Sequence, residues 1–440
     1  MTAQRTDGAV RSIAAVLLLA QAVPAQKADY RADVEFAIDA VETQCKALLT
    51  SKKIDWRKVT APLLAESKKT KTAEAHLLLL WRLLARLQDG HAEVRPLERG
   101  KDVKLELPDR SGSPGLFLCR VGDAVHVKNV WGAAEAAGIV AGAEVLKIGG
   151  VAADVWLRQR QAQLADLVSF STSQQGSFFT CHQGLADAPG TRLELEVRQG
   201  SVRKARVVEY RKGSQVPNGP AFPPAGLKGD KDVFCATTSK GNGYVHVRRC
   251  KEDLPAQMDA ALAALGDVPG LVLDFRGNSG GGFDHEALFG RFLPKGTKWL
   301  VGSGYESAGD RPFGGPMVVV VDGTVRSAGE TAAGMFGEDG RAYLIGESAT
   351  AGMASQKTTI ELPSRLFALY VSTSSNKARF QGGKGIEGVG VTPHEIVPFV
   401  PADLAAGRDT LIERAEALLA AFPQQQVRYR PEEHGWSAPK

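Results

Sequence analysis

Several features are missing from this chain of 440 residues. No cluster of lysine and arginine alternates with aromatic side chains, and 54 basic against 49 acidic residues leave a charge of only +5. That is too weak a field to favour a polyanion, so a nucleic-acid role has little support. No Cys/His spacing resembles a zinc site. The five cysteines, Cys45, Cys119, Cys181, Cys235 and Cys250, are odd in number and give no disulfide framework. Cys235 and Cys250 flank an expected hairpin and are the one pair with a reason to meet; buried free thiols are the default for the set. The run Gly277, Gly280, Gly281, Gly282 does not give Gly-x-Gly-x-x-Gly. No obvious ribose-binding acid follows and no P-loop lysine is present, which removes the nucleotide-cofactor readings. There is no internal repeat and no low-complexity segment.

What is present suits a globular, turn-rich protein of two or three domains: 43% hydrophobic residues and 48 glycines. Residues 1–25 read as a signal peptide. Arg5 and Arg11 precede an apolar run from Ile13 to Val23, and Val23-Pro-Ala25 offers small residues for cleavage after Ala25. The run is short for a membrane span, and an uncleaved anchor is the other reading. No cysteine follows the cleavage point, which argues against a lipid anchor, and no other segment approaches spanning length. The mature chain is therefore expected to be exported, periplasmic or secreted.

A helical region is expected over 26–100. Val34, Ile38, Val41, Cys45, Leu48 and Leu49 recur at helical spacing, and a second helix runs from His76 to Leu87 and stops at Asp89-Gly90, directly before His91. Residues 101–210 change to alternating strands, with a pair around Gly122-Asp123, a short helix and a glycine turn. This order resembles a PDZ-like domain, in which Gly115, Leu116, Phe117 and Leu118 hold the position of the peptide-binding loop. From 211 to 400 strands alternate with helices, which predicts a mixed, partly parallel sheet. A helix from Leu404 to Phe422 and a polar tail occupy 401–440. The expected fold class is α/β in the core and α+β overall: an N-terminal helical domain, a small β-rich PDZ-like domain and a sheet-based core.

Two stretches carry the chemistry. Leu271-Val-Leu-Asp-Phe-Arg-Gly-Asn-Ser-Gly-Gly-Gly282 and Pro316-Met-Val-Val-Val-Val-Asp-Gly-Thr-Val-Arg-Ser-Ala-Gly-Glu330 each run from a buried strand through a tight turn into a helix. Such a turn presents backbone N–H groups at the helix mouth. Ser327 stands where the second turn meets its helix, as a nucleophile candidate or as a helix N-cap. Glu330 suits the positive end of that helix or tunes the site. Arg276 and Asn278 shape the first turn, and His285 is close to it without belonging to a motif.

These two stretches, Gly340-Arg-Ala-Tyr-Leu-Ile-Gly-Glu347 and Gly385-Ile-Glu-Gly-Val-Gly-Val-Thr-Pro393 together resemble the tail-specific, or C-terminal processing, serine peptidases, whose relatives include the tricorn-protease core and the retinoid-binding modules. The resemblance spans nearly all of the mature chain. It implies a serine endopeptidase acting on proteins or peptides, without metal or cofactor, with Ser327 as nucleophile and an oxyanion site made by Ala328 and by Gly280 or Gly281. The processing branch uses a lysine base, but Gly352 stands at that position here; Gln356 matches a supporting glutamine, and Lys357 is out of register. The tricorn-like branch instead implies His91, in Asp89-Gly-His-Ala92, as base and Glu387 as its support. The alternative is a non-catalytic peptide- or lipid-binding module on the same fold.

Overall fold

The computed structural model describes residues 28–213, 218–299, 304–374 and 376–422. The expected leader and the polar tail lie outside the described residues.

A seven-stranded sheet organises the molecule. Its order is Lys228–Asp230, Val233–Thr237, Gly243–Val247, Leu271–Asp274, Met317–Val321, Tyr343–Gly346 and Glu395–Ile396; the first two junctions are antiparallel and the other four parallel. Burial on both faces explains the unbroken apolar runs. Leu271, Leu273, Met317, Val319, Val321 and Leu344 join the core that includes helices Leu254–Leu265 and Ala328–Glu338. The alternate residues Val272, Val318, Val320 and Ile345 pack with helix Thr410–Ala421. The register pairs Asp274 with Val320, and Val321 with Gly346. Three successive parallel strands therefore deliver their turns to one edge of the sheet, where open α/β sheets bind ligands.

The N-terminal helices Tyr30–Gln44, Trp56–Ser67 and Ala73–Ala85 do not close a core alone. They pack on a three-stranded antiparallel sheet, Glu93–Pro96, Phe367–Ser372 and Lys357–Glu361, two strands of which come from late in the chain. Buried Asp33 locks the join, accepting from Ser364 N at 2.8 Å and lying 3.0 Å from His76 Nε2. The β-rich region has its own core and a sheet ordered Leu116–Val121, Ala124–Val130, Glu144–Ile148, Arg192–Gln199, Val202–Glu209.

The structure corrects several local expectations. Helix Ala73–Ala85 ends before Gly90, and Gln88 (φ 52°) takes the left-handed position expected of the glycine. The closing helix is two, Pro401–Ala405 and Thr410–Ala421, broken at Gly407 (φ 70°) and restarted by the Asp409 cap. The β-rich region contains two unanticipated helices, Ala153–Leu164 and Ser173–Cys181. Cys235 and Cys250 do not pair; all five thiols are free.

A buried ionic knot fixes the glycine turn to the sheet. Arg276 is fully buried, donates to Asp274 Oδ2 at 2.6 Å and reaches both Asp409 oxygens at 2.9 Å. Asp409 also accepts from Ala221 N at 2.6 Å. Removing one partner of a buried pair leaves an uncompensated charge, so Asp409→Ala should destabilise the protein by about 3–5 kcal/mol, measured as a lower midpoint in urea unfolding.

Candidate active site

Ser327 stands at the head of helix Ala328–Glu338 with φ 55° and ψ −124°. A non-glycine residue there costs about 1–3 kcal/mol and persists only where its surroundings hold it. The holding group is Glu330, one turn into the same helix and fully buried. Its Oε2 accepts from Ser327 N at 3.0 Å and Met353 N at 2.7 Å; its Oε1 accepts from Gly352 N at 2.7 Å and the Thr350 hydroxyl at 2.5 Å. Glu330 is therefore a clamp between the Ser327 turn and the 350–353 loop, a larger role than a first-turn acid complementing the helix.

The glycine turn lies against the serine. A Cβ on Gly280 would sit 2.9 Å from Ser327 Cβ and 3.5 Å from Ala328 N. Asn278 shapes this turn as expected, accepting from Gly280 N and donating to Val247 O, each at 2.8 Å. The Gly280 N–H is thus committed. Among the described residues the N–H groups of Gly281 and Ala328 have no hydrogen-bond partner. Thr324 joins the two turns, its hydroxyl accepting from Gly277 N at 2.8 Å while donating to Asp322.

His91 follows helix Ala73–Ala85. Asp89, buried, accepts from His91 N at 2.9 Å and is itself held by Ser372 N at 2.6 Å. Asp89, His91 and Glu387 each bring one ring nitrogen or carboxylate oxygen within 4.8 Å of one another. His91 Nδ1 is 4.0 Å from Asp89 Oδ1. His91 Nδ1 and Glu387 Oε2 are both buried without a hydrogen-bond partner. The other Glu387 oxygen is engaged, by Lys52 Nζ at 3.0 Å and the Ser171 hydroxyl at 3.3 Å. A Cβ on Gly90 would meet Met353 Sδ at 2.5 Å, so the His91 segment packs on the loop that Glu330 ties to Ser327. Among the described residues no hydrogen bond joins the Ser327 hydroxyl to the His91 ring; such bonds commonly tighten only when substrate binds.

Residues 241–397 match the family model described as peptidase family S41. The matched segment, a little over a third of the chain, carries both turns, Ser327 and Glu387. The chain is a serine-type peptidase. Mature CPAF shares its fold at a TM-score of 0.64, with 13% identity over 89% of this chain and 96% of that one. The structure of mature CPAF complexed with lactacystin gives 0.60, with 12% identity over 89% and 97%. A peptidase described as putative, from Parabacteroides merdae, gives 0.50, with 16% identity over 90% and 98%. No curated protein matches the chain.

The other sequence-predicted residues fall as follows. Gly352 (φ 76°) has no room for a side chain: a Cβ would crowd Thr172 at 2.6 Å and the N–H groups of Gly390 and Gly388 at 3.1 and 3.2 Å. Gln356 makes no side-chain contact with the site among the described residues; its carbonyl accepts from Thr373 N. Lys357 begins strand Lys357–Glu361, and its charge is felt at His91. His285 Nε2 lies 3.0 Å from the Thr331 hydroxyl on the serine's helix. Gly115 (φ 79°) turns into an edge strand whose Leu116, Phe117 and Leu118 are buried, with the His182 ring stacked on Phe117 at 4.2 Å. Three residues escaped the sequence reading. Asp89 was visible in the motif beside His91; Lys52 and Ser171 had no local signature. A fourth link reaches in from the β-rich region: buried Lys128 Nζ is 3.6 Å from Glu347 Oε1, at the root of the 347–353 loop.

Burial, reinforced by the Lys357 charge and opposed by Asp89, lowers the His91 pKa to about 4. Burial raises Glu387 to about 7, with Lys52 pulling it back down; burial likewise raises Glu330 to about 7 against the donors that favour its charged form. At pH 7 the imidazole is therefore neutral and able to accept a proton, while Glu387 carries its charge only as pH rises through about 7. Lys52→Met removes the cation that holds this carboxylate down. The Glu387 pKa then rises, and the alkaline-going rise of kcat/KM should shift to higher pH, read from a pH–rate profile; an unshifted profile would exclude Lys52 from this electrostatic role.

Proposed function

We propose that this S41 peptidase is an exported endopeptidase in which Ser327 attacks the substrate carbonyl, His91 takes the serine proton and returns it to the leaving amine, and Glu387 supports the imidazolium. The observation that carries the reading is the Asp89–His91–Glu387 cluster, in which His91 Nδ1 and Glu387 Oε2 are both buried and unpartnered. An Nδ1–H turned toward a carboxylate leaves Nε2 as the accepting nitrogen, which is the division of labour a serine needs for activation.

The tetrahedral intermediate carries its negative charge on the former carbonyl oxygen. Ala328 N–H, at the positive end of its helix, and Gly281 N–H are the uncommitted donors for it. Gly280, the other glycine named from sequence, serves by close approach instead, since its N–H is donated to Asn278. The lysine-base route is disfavoured by the crowded backbone at Gly352. Substrates are proteins or peptides, and the β-rich, PDZ-like region is positioned to influence the site through Lys128 and Glu347. No helix among the described residues is long and apolar enough to cross a membrane.

A fluorophosphonate should label Ser327 covalently, and Ser327→Ala should abolish both labelling and hydrolysis. A general base contributes about 10²–10⁴ in rate, so His91→Ala should lower kcat by that factor while the thermal unfolding profile stays cooperative. Full activity in His91→Ala would overturn the assignment. Export is tested separately: N-terminal sequencing of the protein recovered outside the cytoplasm should begin at Gln26.

A further inference from the structure

The segment that carries the proposed base runs directly into strand Glu93–Pro96, which is an outer strand of the three-stranded sheet. Its one partner is Phe367–Ser372, antiparallel, in the register Glu93↔Tyr370 to Pro96↔Phe367. Leu97 N continues that ladder to Leu366 O at 2.9 Å. In an antiparallel pair the inward-facing residues alternate. Glu93, Arg95 and Leu97 therefore point their backbone groups at the neighbouring strand. The N–H and C=O of Val94 and the C=O of Pro96 point away from it, where an extended chain could pair with them.

A cavity of about 350 Å³ borders this same segment. Its apolar wall is formed by Trp81 and Leu84 of helix Ala73–Ala85, by Val94, and by Leu167 and Val168 on the far side, while Gly90 and Ala92 bring it to either side of His91 in the chain. Glu93 at the cavity lip is paired with Arg95, which also stacks on Tyr370 at 3.5 Å from the ring centre. The acid is thereby neutralised, and the interior offers no charge partner to a substrate.

Resting on the peptidase reading above, we propose that a peptide substrate pairs as an added strand with the outer edge of Glu93–Pro96 and inserts one large apolar side chain into the cavity lined by Trp81, Leu84, Val94, Leu167 and Val168. The occupant is an extended peptide with leucine-, methionine- or phenylalanine-like character at one position. A strand advances about 3.3 Å per residue, and Val94 is three residues from His91. The selected side chain therefore lies about three residues from the bond that is cut. Pro96, which has no N–H, ends the donor side of the ladder and limits the pairing to a short segment.

The test uses two fluorescent peptides that differ only in carrying leucine or alanine at the selected position, located by a cleavage screen or by walking leucine along an alanine-rich peptide. Binding is measured by anisotropy to the full chain bearing Ser327→Ala, so that no turnover is required. The leucine peptide should bind about tenfold or more tightly than the alanine peptide. Val168→Trp, at the half-buried rim, fills the cavity and should remove that difference. Trp81→Ala enlarges it and should move the preference toward phenylalanine. The absence of any leucine preference at every position, or its survival in Val168→Trp and Trp81→Ala alike, overturns the proposal. Fluorophosphonate labelling of Ser327 in the unsubstituted chain tests the catalytic reading separately, so a failure of one is distinguishable from a failure of the other.

Discussion

The site depends on one buried carboxylate. Glu330 receives four hydrogen bonds on its two oxygens, from the Ser327 and Met353 N–H groups on one side and the Gly352 N–H and Thr350 hydroxyl on the other. Without it, nothing comparable would hold Ser327 at positive φ, because the strained conformation has no favourable local alternative that keeps the helix start in place. The same acid fixes the loop on which Gly90 packs. The segments bearing the nucleophile and the base, more than two hundred residues apart in the chain, are therefore referred to a single group. Burial makes that group costly to ionise, and the four donors offset the cost.

This arrangement explains how much could be read from the residues alone. The turns at Arg276–Gly282 and Asp322–Ser327 were legible because each is local: a strand on two buried faces, glycines where the backbone must approach closely, then a helix. Glu330 was visible as a residue near Ser327, but its role was not, since three of its donors lie twenty or more positions away. Lys52 and Ser171 touch Glu387 across 335 and 216 positions, and no periodicity or spacing encodes such contacts. The unexpected helices Ala153–Leu164 and Ser173–Cys181 have a related cause. The first is rich in arginine and glutamine and buries only Ala153, Leu157 and Leu164, so its apolar stripe is thin. Strands Lys357–Glu361 and Phe367–Ser372 fall within 211–400, the stretch expected to form the sheet-based core; in the structure they complete the hydrophobic face of the N-terminal helices, whose apolar surface exceeds what they bury among themselves.

The absence of a lysine at position 352 is structural as well as chemical. Gly352 has a positive φ and lies against the backbone of Gly388 and Gly390, which closely follow Glu387. Where a lysine-dependent site would need a side chain, this chain brings two backbone segments into contact, and that contact delivers Glu387 to Lys52 and His91. Under the proposed mechanism the lack of an amine at 352 and the placing of Glu387 beside His91 go with the same close packing. A lysine at 352 would force this loop away from Thr172 and from the backbone of Gly388 and Gly390.

The electrostatics assign the two acids different work. Glu330 is enclosed by donors and serves geometry. Glu387 has one oxygen held by Lys52 and Ser171 and one oxygen buried and uncommitted, in the cluster it forms with Asp89 and His91. An imidazole held near pKa 4 by burial and by the neighbouring Lys357 and Arg326 charges is a weak base. In the proposed mechanism the ring becomes cationic as the proton moves from serine to histidine, in a low-dielectric setting where an adjacent full negative charge is worth far more than in water. Ionised Glu387 supplies that charge, and its own raised pKa means that it does so only as pH passes through about 7. Under the proposed mechanism the titration that governs turnover is carried chiefly by the carboxylate behind the histidine, and the apparent value belongs to the coupled pair rather than to the ring.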